Sequence, residues 1–338
     1  MATRMALRAP SFEQAAKDYA DAVGGPISRM SVWRITTGAG RVLCRRKKVE
    51  AEWASAPAQR GETPQTRRVP QERPIQEQGN ISTDGTMILI RDEGWKEVKA
   101  SAFSEVKVLP ARRGAKPAEG IARRPSRREY DLRVKLSQHS YVAGLWEADE
   151  LAKYQYAEGL RRGLEWVETL SSVNDGAPWI GRITFTNFPQ AIQIVDWSHA
   201  SGRLHTVGKA VLGEGSDRAT QWVQARLDEL WDGHVEEIVT TLQGLGVHQE
   251  KWPDEVRQAP GYFETNTQRM RYDQFRAAGY PIGSGTVESA ANNVVKHRMH
   301  RPGRGWKRQY AHAMLALLSE YHSGRFDQTW FQLCQPAT

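Results

Sequence analysis

The pattern of apolar and polar positions changes sharply at residue 80. Residues 81–90 and 95–109 read as two long strands, with Arg91-Asp92-Glu93-Gly94 as the hairpin turn between them. Ser140-Tyr141-Val142-Ala143 reads as a third strand, and residues 148–167 as a helix. Residues 169–174 form a short strand, polar for a buried one, that ends at Asp175-Gly176. Residues 180–188 suit a helix or turn, and 191–195 a strand ending at Asp196. From residue 199 onward the helical period dominates. Trp222, Leu227, Leu230, Trp231, Val235 and Ile238 recur at helical spacing as core positions, and 262–278 reads as an amphipathic helix stopped by Gly279.

Three strands, a helix, a strand, a helix and a strand is the order of a ribonuclease H-like α/β domain. The helical stretch at about 203–278 then becomes an insertion in it. Upstream, Ser11 can cap a helix over 12–23, Gly24-Gly25-Pro26 forces a turn, and Ser28 can cap a second helix. That helix carries Met30, Val32, Trp33 and Ile35, with Arg29 and Arg34 directed elsewhere. Such a pair fits a DNA-binding helix-turn-helix, and it also fits a plain α-hairpin. Residues 55–79 hold four prolines and few large apolar residues, which predicts a linker. The expected division is a helix-turn-helix-like region over 1–54, a linker over 55–79 and a catalytic domain over 80–332.

Length and charge narrow the partners. At 338 residues the chain is long enough for two or three domains. No apolar run approaches a membrane span, and the first residues lack the apolar stretch of a signal peptide. Cys44 and Cys334 are solitary and far apart, which suits a reducing cytoplasm rather than a disulfide framework. The net charge is +8. Nine Lys/Arg against three acids fall between residues 110 and 136, and six Lys/Arg with two histidines and no acid between 296 and 308. Arg45-Arg46-Lys47-Lys48 makes a third cluster. Any one cluster suits a solvated face; three favour phosphate contacts. The candidate DNA-contacting residues are Arg29, Arg34, Arg45, Arg46, Lys47, Lys48, Lys296, Arg298, Arg304, Lys307 and Arg308.

Asp84, Asp175 and Glu288 are the acids that such a fold would gather at one sheet edge. Each of the two aspartates precedes a glycine, and Glu288 follows Gly283-Ser284-Gly285 at the expected start of a helix. Three converging carboxylates repel one another unless cations neutralise them. Two Mg²⁺ or Mn²⁺ ions, about 3.5–4 Å apart, would do so and suit phosphodiester chemistry. Spacing alone leaves the plainer readings open: Asp-Gly as a turn, and Glu as a helix-dipole partner.

The residues around these acids add more. Asp84-Gly85 with Gly94-Trp95-Lys96-Glu97-Val98-Lys99, then Asp175-Gly176-Ala177-Pro178-Trp179-Ile180, then Gln193 to Ala200, then Gly279-Tyr280-Pro281-Ile282-Gly283-Ser284-Gly285-Thr286-Val287-Glu288 follow in order. These blocks resemble the ISKra-type insertion-sequence transposases, DDE enzymes distantly similar to Mutator-type transposases, from about residue 11 to 332. The resemblance implies a ribonuclease H-like core, divalent metal, a homo-oligomer on double-stranded DNA, and cleavage and strand transfer at terminal inverted repeats. It makes Asp84 the first acid and Glu288 the last. For the second, Asp175 is preferred as metal ligand. Asp196, in Asp196-x-x-His199, is the alternative, with His199 in support; Asp196 also suits a helix N-cap. A DNA-binding derivative without catalysis, and a ribonuclease H-like nuclease, are the competing functions.

Overall fold

The computed structural model describes residues 1–56, 69, 72–110, 132–283, 285, 291–300 and 305–335. Its centre is an open five-stranded mixed sheet, an α/β arrangement, in the order β3-β2-β1-β4-β5. The strands are β1 (Gln78–Ile90), β2 (Gly94–Leu109), β3 (Arg133–Gly144), β4 (Thr169–Asn174) and β5 (Ile192–Val195). β1 and β2 pair antiparallel across a tight turn in which Asp92 and Gly94 take φ of 67° and 79°. β2 and β3 are also antiparallel, whereas β1–β4 and β4–β5 are parallel. Parallel neighbours need a crossover. Helices α4 (Ala148–Arg161) and α5 (Pro178–Asn187) lie in the two connections that lead into β4 and β5.

β3 is longer than the four residues expected, because its first half lies in the basic stretch. Arg133 and Lys135 pair with β2 although their charge reads as loop. β4 is polar yet buried, and its polar groups have partners. Ser171 donates to Asn80, Asn174 Nδ2 to Ser172, and Asn174 Oδ1 accepts the Thr83 N–H at 2.6 Å. A buried hydroxyl or amide is tolerated when it is hydrogen-bonded.

The N-terminal region departs most from expectation. After α1 (Ala2–Arg8) and α2 (Phe12–Val23) comes one helix of 27 residues, α3 (Arg29–Ser55), in place of a short second helix. Ser11 and Ser28 cap α2 and α3 as expected, through Gln14 N–H and Ser31 N–H. The three helices share a small core around Ala6, Ala15 and Val32. α3 then continues onto the sheet. Its Leu43 joins Ile88, Ile90, Val98, Ala100, Tyr141 and Ala143, together with α12 (Arg308–His322). A side chain at Gly40 would collide with the Ala313 carbonyl, so glycine permits the close approach of α3 to α12. The opposite face, with Ile81, Phe103 and Leu170, packs on Leu151, Ile183 and Phe188 of α4 and the α5 region. Residues 1–54 therefore share the core of the sheet.

A buried ion cluster ties these layers together. Lys47 of α3 lies 2.8 Å from Glu320, and Arg161 pairs with Glu50, Glu72 and Glu158. Arg325, just before α13 (Phe326–Cys334), bonds Glu158 at 2.6 Å and Glu320 at 3.0 Å. Glu72 belongs to the stretch expected as linker. Described residues there dock instead: Val69 and Ile75 are buried, and the Glu72 and Ile75 N–H groups donate to Arg161 and Arg162 carbonyls.

Beyond β5 the chain is helical: α6 (Trp197–Leu212), α7 (Asp217–Trp231), α8 (Val235–Gly244), α9 (Asp254–Arg257), α10 (Ala259–Asn266) and α11 (Tyr272–Ala277). Leu204, Leu230, Val235, Ile238 and Phe263 give this part its own core, which reaches Val173 and Ile194 of the sheet. The amphipathic helix expected over 262–278 is broken around Met270, where the buried Met270 and Tyr272 turn the chain inward. Gly279 closes it, at φ 76°. Among the described residues no helix is long and apolar enough to cross a membrane.

Candidate active site

β1 and β4 run parallel with a constant offset, Gln78 beside Thr169 through Ile81 beside Ser172. Continued, that register sets Asp84 beside Asp175. The ladder stops just before them, where the Asn174 side chain replaces a backbone carbonyl and takes the Thr83 N–H. β4 ends there, Gly176 turns away at φ 88°, and the two carboxylates stay at the edge of the opening.

Each aspartate is half-buried and has one oxygen engaged locally. Asp84 Oδ1 accepts its neighbour's Gly85 N–H at 2.7 Å, and Asp175 Oδ1 accepts the Ala177 N–H at 2.8 Å. The Asp84 carboxyl is shifted above the ordinary range, chiefly by burial. The Gly85 N–H works against that shift, the charge of Asp175 adds to it, and His199 and Lys296 partly offset it. Those electrostatic contributions bring four expected residues to one place: Asp84, Asp175, His199 and Lys296. Lys296 ends a π-helical turn (Ala291–Lys296) whose Val294 and Val295 pack on the Ile88 and Ile90 face.

Asp196 is differently placed. It is 2% exposed and caps α6, accepting the Ser198 and His199 N–H groups. Its own N–H donates to Asn174. The exposed His199 follows in the first turn. The segment that precedes Glu288 is fastened here, because Trp197 N–H donates to the Ile282 carbonyl at 2.8 Å. Glu288 and Arg304 lie outside the described residues, as do the arginine pairs of 112–128.

The expected basic contacts divide. Arg29, Arg34, Arg45, Arg46, Lys48, Lys296 and Lys307 are exposed. Lys47 is corrected: it faces inward to Glu320. Arg298 is likewise corrected, for it is 3% exposed, donates to the Ala6 and Pro10 carbonyls, and lies over the Phe12 ring. Arg308 is held by Glu93, with its Nη2 2.6 Å from the carboxylate. Arg271 and Arg276 of the helical region bond Glu236 and the Trp231 carbonyl.

Two neighbours escaped the sequence reading. Tyr262 donates to the Asp175 carbonyl at 3.0 Å with Arg203 stacked 4.0 Å above its ring, and burial pushes its hydroxyl up to about 12. Glu97 folds across β1 over Gly85, where any side chain would collide with it, and pairs with Lys99 at 2.6 Å. Glu97 stands within a quoted block, but nothing marks Tyr262 in the sequence. Among the described residues no group of three His, Cys, Asp or Glu is preassembled for a metal. Asp84 and Asp175 supply two hard oxygen donors whose mutual repulsion a divalent cation would relieve, a chemistry that fits Mg²⁺ or Mn²⁺. No protein-family model and no curated protein matches the chain.

Proposed function

We propose that this chain is a DDE transposase that cuts and rejoins double-stranded DNA, as its likeness to the ISKra-type enzymes implies. The observation that carries the reading is the placement of Asp84 in β1 and Asp175 just past the end of the adjacent parallel β4, near enough that the charge of Asp175 helps raise the Asp84 carboxyl. The strand order, with the second strand alone antiparallel to the first, supports a ribonuclease H-like core. Asp84 and Asp175 would hold the divalent metal, with Glu288 as the third acid by the resemblance. Metal bound there supplies activation of a water or 3′-hydroxyl and charge for the leaving oxygen. Lys296 brings a positive charge, and His199 an imidazole, to the same edge, where a phosphodiester would approach. Asp196 orients the first turn of α6, and so His199, without taking part itself. Arg29, Arg34, Arg45, Arg46, Lys48 and Lys307 are the other exposed cations that would grip phosphates, although Arg46 also bonds the Gln332 carbonyl and Lys48 lies 3.6 Å from Glu52.

The test is nicking and strand transfer on supercoiled DNA carrying the flanking repeats, with Mg²⁺ or Mn²⁺. The expected result is activity in the native chain, and its loss in Asp84→Asn, Asp175→Asn and Glu288→Gln with DNA binding kept. Binding without metal-dependent nicking would favour the DNA-binding derivative. Loss of cleavage in Asp196→Asn with Asp175→Asn still active would exchange the two aspartates' roles.

A further inference from the structure

A second concave site lies away from the carboxylates, where the start of α3 meets the β1–β2 turn and the start of α12. It has a volume of about 630 Å³, within the roughly 300–1,000 Å³ of small-ligand sites. Phe12, Trp33, Trp306 and Tyr310 line it, none of them fully buried. They stand as two edge-to-face pairs, Phe12–Trp306 with centroids 6.3 Å apart and Trp33–Tyr310 at 5.0 Å. Arg298, itself on the lining, helps fix the Phe12–Trp306 wall. The Arg298 guanidinium stacks on both rings, and Trp306 Nε1 donates to the Met299 carbonyl.

The lining also carries charge. The Arg29 and Lys307 side chains are exposed and make no hydrogen bond or ion pair among the described residues. Arg91 adds a further cation beside these and Arg298, anchored through its Nε to the Gly305 carbonyl at 2.8 Å. Glu13, a carboxylate on the lining, lies 3.8 Å from Lys17. Aromatic surface with cations beside it fits a ligand with a flat π-system and an anionic end. In a duplex the base faces are stacked away, so only an unpaired or extruded nucleotide can offer one.

We infer that this cavity binds an unpaired nucleotide of a DNA strand, its base on the aromatic walls and its phosphate on Arg29 and Lys307. The choice of a deoxyribose strand rests on the DNA reading above; the cavity itself needs no cleavage activity.

The experiment uses the full chain with a fluorescent oligothymidylate and, separately, a blunt duplex. Trp33→Leu and Tyr310→Ala should each weaken the single strand about tenfold, within the roughly 5- to 150-fold that base–aromatic stacking implies, and leave duplex affinity unchanged. Arg29→Gln and Lys307→Gln should each reduce the salt slope for the single strand by about 0.7. Because Trp33 is partly packed, a measurement on the unaltered chain accompanies these variants. A 5-iodouracil-substituted strand should photo-crosslink to peptides containing Trp33 or Tyr310. Equal losses on both DNAs in the Trp33 and Tyr310 variants, unchanged single-strand affinity, or crosslinks confined to other peptides would each overturn the inference. So would thymidine monophosphate or an RNA strand binding as tightly as the DNA strand. Absence of duplex binding together with retained oligothymidylate binding would count against the transposase reading and leave the cavity's assignment standing.

Discussion

The molecule holds two clusters of charge that differ in balance. In the ion cluster Lys47, Arg161 and Arg325 interlock with Glu50, Glu72, Glu158 and Glu320, and Arg162 beside them donates to backbone carbonyls. At the sheet edge Asp84 and Asp175 stand side by side, each with a carboxylate oxygen that accepts no hydrogen bond among the described residues. The first arrangement neutralises itself and so belongs to the architecture. The second keeps a repulsion that folding alone gains nothing from, and it is this imbalance that the proposed cation would relieve.

That contrast can be broken by mutation. The largest effect is expected from Arg325→Met, which strands Glu158 and Glu320 inside the protein and should cost about 3–5 kcal/mol in urea unfolding. A loss under about 1 kcal/mol would show that the cluster does not hold the layers together. Asp84→Asn should act in the opposite direction, stabilising the metal-free protein by on the order of 1 kcal/mol because one of two repelling charges is gone. Destabilisation of that size would make Asp84 a structural residue.

Acid sharpens the difference. Burial pushes the Glu320 carboxyl up, but Lys47 and Arg325 outweigh it and hold it far below the usual range; Glu72, at the rim, is shifted upward by burial. Glu320 therefore contributes stability above the ordinary carboxylate range, lost only as pH falls through its depressed value. Asp84 is raised, so its ionised form opposes folding above that raised value, and the penalty disappears once pH falls below the ordinary range. The stabilisation by Asp84→Asn should accordingly fade at a higher pH than the destabilisation by Glu320→Gln, in paired thermal melts. The same fading pH for both would remove the distinction. The smallest effect is expected at Asp196. Asn caps as well as Asp, so Asp196→Asn should change stability by less than about 0.5 kcal/mol, whereas Asp196→Ala should cost about 1 kcal/mol. Equal losses in the two would deny it the capping role.

The hairpin, β4, α5 and β5 were legible because each is bounded by a local signal: Asp92 and Gly94, Asp175-Gly176, Asn187-Phe188, Asp196. The length of α3 was hidden by its charge. Arg45-Arg46-Lys47-Lys48 reads as a solvated run, yet Gly40, Leu43, Lys47, Ala51 and Ala54 recur at helical spacing on one face. Arg298 is the same case, lying between Val295 and Met299 on a stripe with Val294 and Ala291. Period, applied to the charged residues as well as the apolar ones, would have placed both inside. Glu72 and Tyr262 carry no such periodic signal. Their partners lie 89 and 87 residues away on Arg161 and Asp175, and only the fold supplies them.

The unbroken run of α3 sets a distance. Its 27 residues span roughly 40 Å at 1.5 Å per residue, a little over one turn of duplex DNA. Arg29 and Trp33 stand at one end, Arg45, Arg46 and Lys48 in the farther half, and close packing at Gly40 and the Lys47–Glu320 pair fix the rod in between. If DNA binds as proposed, the helix would work as a gauge whose marks are its cations. Points of contact along the strand would then be spaced by the protein's own geometry, and one residue inserted after Gly40 would turn every later mark by about 100°.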